Sequence, residues 1–113
     1  MKQEIVKRLI ADFPNLKGEI ESNLNVFSEI YLHLIFGDVF NPYLSVLLDE
    51  PLKNRTQLIK AGNLLEYMSG LDDSIQEVVV TTVLERLSDN RERLELFSEF
   101  AGDRTRQFII DLM

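Results

Sequence analysis

Residues 74–83 read Ser-Ile-Gln-Glu-Val-Val-Val-Thr-Thr-Val, and this stretch decides the fold class. Its β-branched residues are typical of a buried strand. Two other features favour a helix. Ser74 and Glu77 have the spacing of a capping box, and apolar residues recur every four positions from Ile75 to Leu87. We therefore predict a helix here, with a buried strand as the alternative.

Outside this stretch the apolar residues also recur with a helical period. Ile5, Leu9 and Phe13 lie four apart, which predicts a first amphipathic helix that ends before Pro14. Further helices are predicted from about Leu16, with an interruption or fraying near residues 23–25, and then through residues 27–35, 43–50 and 54–69, around Leu94, Phe97 and Phe100, and after Gly102.

Glycine, proline and asparagine predict where these helices end. Gly37, within residues 36–38, is expected to be a helix stop. Asn41 is then expected to cap the next helix, with Pro42 at its first position. Pro51 and Gly70 should end the two helices that follow.

A weak internal similarity concerns how these helices are arranged. Residues 64–69 and 83–88 share the pattern apolar-Leu-Glu-x-apolar-Ser at an offset of 19 positions. A helix plus a turn at that length is typical of stacked helical repeats. At 113 residues with 45% hydrophobic content, the chain is long enough for one buried core. We predict an all-α fold, a single domain over residues 1–113 that is a helical bundle or a short stack of antiparallel helices.

Composition excludes several classes of function. The chain has no cysteine, so thiol chemistry and disulfides are absent. Its longest charge-free run, residues 39–48, is far shorter than the roughly 20 residues of a membrane-spanning helix. The N-terminal residues are charged rather than apolar, so we expect a cytoplasmic protein. A net charge of −7 disfavours nucleic acid and anionic membrane as partners.

Residues that would carry catalysis or hold a cofactor are scarce. His33 is the only histidine, which excludes a two-histidine metal site within one chain, and we expect it to be structural. Asp72, Asp73 and Glu77 lack the spacing and glycine of a calcium-binding loop and are better explained by helix capping. The sequence therefore predicts no enzyme, no cofactor and no metal site.

The distribution of charge is the feature that predicts a partner. Lysine and arginine are absent between Lys17 and Lys53 and between Lys60 and Arg86, where the acidic residues are concentrated. Such a surface would steer and dock a basic protein, and the alternative is an acidic face that only aids solubility. If the helices stack antiparallel, residues 49–50 and 72–73 should share one edge. The predicted partner-binding residues are Asp38, Tyr43, Asp49, Glu50, Glu66, Tyr67, Asp72, Asp73 and Glu77.

Three short motifs give the chain a resemblance to a known group of proteins. They are Leu32-His33-Leu34-Ile35-Phe36-Gly37-Asp38, Phe13-Pro14-x-Leu16 and Ala101-Gly102-x-Arg104-Thr105-Arg106. With these motifs the chain resembles small acidic helical immunity proteins of bacterial toxin delivery systems, including contact-dependent growth inhibition. The resemblance implies binding and blocking of a basic cognate toxin domain, often a nuclease. An adaptor that binds a partner helix through an apolar groove is the other expected class.

Overall fold

Residues 74–83 are helical in the computed structural model, which describes residues 1–26 and 29–113. Helix α6 (Asp73–Glu77), a π-helical segment (Val78–Leu84) and α7 (Glu85–Leu87) follow one another without a break, and we call them the 73–87 helix. No strand occurs in the described part of the chain. The predicted all-α fold is confirmed.

The remaining elements are also helices. They are α1 (Lys2–Asp12), a 3₁₀ turn (Pro14–Leu16), α2 (Lys17–Val26), α3 (Leu32–Ile35), a π-helical segment (Phe36–Phe40), α4 (Asn41–Asp49), α5 (Arg55–Ser69), α8 (Arg91–Ser98) and α9 (Asp103–Leu112). Pro14 follows the end of α1, and Gly70 caps α5, as predicted. The expectation that a helix contains Phe27 lies outside the described residues. Ile30 and Tyr31, predicted in the same helix, are not helical, because α3 begins only at Leu32 with Tyr31 as its N-cap residue.

The cap of the 73–87 helix differs from the prediction. Asp72 is the N-cap residue, and its Oδ1 accepts the backbone N–H of Ile75 at 3.1 Å. The Ser74 hydroxyl donates to the same oxygen at 2.7 Å. The predicted capping box of Ser74 and Glu77 is therefore wrong, because the helix begins one residue before Ser74.

The predicted break at Gly37 is also wrong. Helix α3, the π segment Phe36–Phe40 and α4 form one continuous helix, here called the 32–49 helix. Asn41 has helical dihedrals, with φ −60° and ψ −46°, and is not a cap. A proline ring in an α-helix collides with the carbonyl four residues earlier, whereas the wider π turn before Pro42 relieves that contact.

Helix α5 lies at the centre of the fold. It contacts its sequence neighbours α4 and α6, and also α1 and α9 from the two ends of the chain. Gly62 brings α5 against the loop before α9, since a Cβ at this position would lie 1.9 Å from the Phe100 carbonyl oxygen. In a repeat stack each unit contacts only its neighbours, so these contacts identify a bundle.

One hydrophobic cluster joins the helices. It extends from Ile5 on α1 to Ile109 on α9. Val78, Val79 and Val83 belong to it and are at most 2% exposed. Their burial explains why a β-branched run is helical here, because tertiary packing outweighs a difference in propensity of less than about 1 kcal/mol per residue.

Candidate functional site

The acidic residues at the end of α4 have basic partners. Asp49 Oδ1 lies 2.6 Å from Arg93 Nη2 on α8, and Glu50 lies 3.9 Å from Lys53. Arg93 lies 44 positions from Asp49 in sequence. A charge window that contains no basic residue in sequence is thus neutralised in part by an arginine from outside it.

The acidic residues of α6 are of two kinds. Asp72 caps the helix, and the hydrogen bonds from the Ser74 hydroxyl and the Ile75 N–H hold the pKa of the Asp72 carboxyl below its usual value. Asp73 and Glu77 are exposed, lie one helical turn apart, and have no ion-pair partner among the residues the structure describes.

The structure does not bring these two acidic groups together. Residues 49–50 precede the first turn of α5, and residues 72–73 follow its last turn. Helix α5 has 15 residues, which at about 1.5 Å per residue amounts to about 22 Å. The single acidic edge expected from an antiparallel stack is therefore not formed.

Glu66 has an internal role. Its Oε1 accepts the backbone N–H and the hydroxyl of Thr105 at 3.0 and 2.9 Å, and its Oε2 accepts the backbone N–H of Arg104 at 3.2 Å. The Arg104 guanidinium lies 3.6 Å from the same carboxylate. Burial raises the pKa of the Glu66 carboxyl, but these contacts outweigh burial, and the pKa is lowered from its usual value.

The two predicted tyrosines are half-buried. Tyr43 packs edge-on against Phe13, with ring centroids 5.5 Å apart. The guanidinium of Arg8 lies 4.7 Å from the ring centroid of Tyr67, a cation–π geometry. Asp38 is exposed in the first π segment, without an ion-pair partner in the described part of the chain.

A cleft of about 250 Å³ lies beside Glu77, between the start of the 32–49 helix and the start of the 73–87 helix. It is lined mainly by apolar side chains, with polar groups among them. The lining residues are Lys2, Ile30, Tyr31, Leu32, His33, Leu34, Ser74, Ile75, Glu77 and Val78. Tyr31 is 44% exposed. We call this the Tyr31 cleft.

Thr82 connects the two long helices below this cleft. Nδ1 of His33 and Oγ1 of Thr82 form a short hydrogen bond of 2.5 Å, and Asn41 Nδ2 donates to the Thr82 carbonyl at 2.6 Å. His33 thus has the structural bond that we expected, and it also lines the cleft. The two π segments contact each other here. This contact fixes how the two walls of the cleft are placed.

Over residues 6–113 the chain matches the family described as Domain of unknown function (DUF7674). The chain belongs to this family. No curated protein and no solved structure matches it. The likeness to immunity proteins stays a prediction.

The described residues contain neither a metal-binding cluster of side chains nor a helix that could span a membrane. No group of three or more histidine, cysteine, aspartate or glutamate side chains there is arranged to hold a metal ion. None of the helices in that part combines the length and the apolar character needed to cross a membrane.

Proposed function

We propose that this protein binds a basic protein partner at the Tyr31 cleft. The observation that supports the proposal is the position of Glu77, which lines an apolar cleft while its carboxylate has no ion-pair partner in the described residues. Asp73 lies one turn before it and is exposed. Apolar surface supplies affinity, and adjacent negative charge selects a partner of opposite sign.

The acidic residues differ in what they offer to such a partner. Asp49 and Glu50 already interact with Arg93 and Lys53, so a partner would have to compete with these bonds. Asp73 and Glu77 form no ion pair in the described residues, so a partner cation would not have to break an internal salt bridge there. The docking surface that we propose therefore consists of the Tyr31 cleft and these two carboxylates.

A toxin domain is the partner class that the resemblance to immunity proteins suggests. A nuclease carries a cationic site for phosphate groups, and carboxylates at that site would exclude the substrate. The acidic surface would also accelerate the encounter at low ionic strength. In this proposal the chain acts in the cytoplasm and inhibits the toxin by occupying its substrate-binding site. It performs no chemistry itself.

The apolar lining of the cleft favours a second candidate, an adaptor that binds a partner helix. An amphipathic helix places apolar side chains in such a groove at helical spacing. The two candidates differ in their dependence on salt. Charge-driven docking weakens as ionic strength rises, whereas insertion of apolar side chains changes little.

Co-expression tests the proposal. The C-terminal domain of the neighbouring open reading frame is produced alone and together with this chain, and growth and co-purification are compared. We expect the domain alone to be toxic, the pair to be tolerated, and the complex to weaken between low and high salt. A toxic domain that forms no complex with the chain, or whose complex is insensitive to salt, contradicts charge-driven inhibition.

A further inference from the structure

The volume of the Tyr31 cleft limits what can enter it. Pockets that enclose drug-sized molecules have volumes of about 300–1,000 Å³, whereas this cleft has a volume of about 250 Å³. A space of that size admits one large side chain. At this point the proposed docking surface therefore receives a single side chain of the partner.

Apolar side chains from two helices line the cleft. Leu32 and Leu34 belong to the 32–49 helix, and Ile75 and Val78 belong to the 73–87 helix. Leu32, Ile75 and Val78 are at most 4% exposed, so packing around them holds this surface in place. A side chain of the partner gains affinity here by burying its carbon atoms against these residues.

One carboxylate limits the choice of that side chain. Glu77 lines the same cleft and forms no ion pair in the described residues. A phenylalanine or leucine that filled the cleft would remove water from this carboxylate and offer it no hydrogen bond, which is costly for a charged group. A side chain with an apolar stem and a cationic end avoids that cost, because its stem packs on the apolar residues while its end pairs with Glu77.

Lysine and arginine both have such a stem, and the lining of the cleft favours arginine. An ammonium is a compact and strongly hydrated charge, and apolar residues cannot replace the water that it would lose. A guanidinium is planar and more weakly hydrated, and it binds a carboxylate through two parallel hydrogen bonds. Tyr31 adds an aromatic ring to the lining, and arginine packs on such rings more often than lysine does.

Lys2 is the charged side chain of the lining that opposes an arginine. It is exposed at the first position of α1, and it forms no ion pair with Glu77. Its flexible stem allows the ammonium to move away from an incoming cation. His33 also lines the cleft, and its Nδ1 is bonded to Thr82. Removal of the Lys2 charge should therefore strengthen the binding of arginine.

We infer that the Tyr31 cleft receives an arginine side chain of the partner, whose stem packs on the apolar lining and whose guanidinium pairs with Glu77. The inference rests on the proposed docking surface and adds the chemistry of the residue that enters it. A basic partner that presents only lysine at this point docks more weakly.

Titration with blocked tripeptides, followed by ¹⁵N NMR, tests the inference without the partner. The peptides are acetyl-Ala-X-Ala-amide, in which X is arginine, lysine, citrulline or phenylalanine. Lysine controls for the attraction of any cation to a chain of net charge −7, and citrulline resembles arginine in shape but has no charge. We expect the arginine peptide at millimolar concentration to shift the amide signals of Leu34, Ser74 and Glu77. The lysine peptide should bind about threefold more weakly, and the two uncharged peptides more weakly still.

Variants locate the effect in the cleft. Glu77→Gln should weaken binding of the arginine peptide about fivefold, and Lys2→Gln should strengthen it. Tyr31→Leu removes the ring and should reduce the preference for arginine over lysine, with circular dichroism unchanged. Glu99→Gln removes the same charge as Glu77→Gln at an exposed acid outside the cleft, and is the matched control. The inference is wrong if the arginine and lysine peptides bind equally, if phenylalanine binds best, or if Glu77→Gln behaves like this control.

These measurements fail separately from the co-expression test. A toxin complex, together with peptides that show no preference for arginine, overturns the inference and leaves the proposed function in place. A preference for arginine that depends on Glu77, without any toxin complex, supports the chemistry of the cleft and contradicts the proposed inhibitor.

Discussion

Glu66 of α5 accepts two hydrogen bonds from Thr105 of α9, at 3.0 Å from the backbone N–H and at 2.9 Å from the hydroxyl. The N-cap residue of α9 is Gly102, which has no side chain to cap the helix. A Cβ at Gly102 would lie 2.6 Å from the Glu66 side chain. The carboxylate therefore performs for α9 the function that a serine or aspartate performs at the N-terminus of an ordinary helix.

Replacing Glu66 with alanine should destabilise the protein. The change removes the partner of two backbone N–H groups and of the Thr105 hydroxyl, whose residue is fully buried. Loss of such a partner costs about 1–3 kcal/mol. The free energy of unfolding, measured in urea, should fall by that amount. Glu99→Ala, at an exposed acid with no ion pair in the described residues, is the control and should change it by less than about 0.5 kcal/mol.

The contribution of Glu66 should depend on pH. The pKa of its carboxyl is lowered on folding, because the hydrogen bonds from Thr105 and Arg104 outweigh burial. The stabilisation is therefore fully present above the unfolded-state pKa of about 4.3, and is lost as pH falls through the lower folded-state pKa. The stability difference between the parent and Glu66→Gln should be constant near neutral pH and shrink in acid. Asp72, whose pKa is also lowered, is present in both proteins and cancels. A difference that stays the same in acid contradicts the role of the charge.

Two glycine substitutions should have opposite effects. In a helix, alanine is favoured over glycine by about 1 kcal/mol. Gly18→Ala, where a Cβ would meet no atom within 4 Å, should raise the melting temperature. Gly62→Ala should lower it strongly, because the Cβ would lie 1.9 Å from the Phe100 carbonyl oxygen and α5 would have to move. Equal melting temperatures for the two variants would show that the contact between α5 and this loop is not needed.

Structure that depends on neighbouring residues can be predicted from this sequence, whereas structure that depends on contacts between distant residues cannot. Residues 74–83 were recognised as helical because four-residue spacing is a local signal. The continuous helix through Gly37 and Pro42 was missed, since a π segment has no known sequence signature and glycine followed by proline is typical of a break.

The candidate site was predicted less well than the fold. Asp73 and Glu77 were selected by charge, and the structure leaves both exposed. Asp49 and Glu66 were selected by the same rule, but Arg93 and Arg104 reach them from 44 and 38 positions away. The Tyr31 cleft depends on the contact of two helices joined by the bond between His33 and Thr82, which lie 49 positions apart. A single sequence contains no signal that shows which distant residues come into contact in the folded protein.

The position of the docking surface can be tested by two matched charge reversals. Asp73→Lys with Glu77→Lys changes the carboxylates beside the Tyr31 cleft, and leaves the Asp72 cap in place. Asp49→Lys with Glu50→Lys changes the net charge by the same amount at the other end of α5. Exposed ion pairs contribute only about 0–1 kcal/mol to folding, so both variants should remain folded by circular dichroism.

Binding should separate the two reversals. If the cleft docks a basic partner, the change at residues 73 and 77 should cost about 2–5 kcal/mol of binding free energy, because it places like charges in a desolvated interface. The change at residues 49 and 50 alters the net charge by the same amount, but these residues lie outside the proposed interface and affect the partner only through the long-range electrostatic field. This change should therefore slow association modestly, more at low salt than at high salt. Association and dissociation rates measured by surface plasmon resonance distinguish a local contact from a field effect. Equal losses in the two variants would mean that net charge alone governs capture, and the larger loss at residues 49 and 50 would move the docking surface to the end of α4.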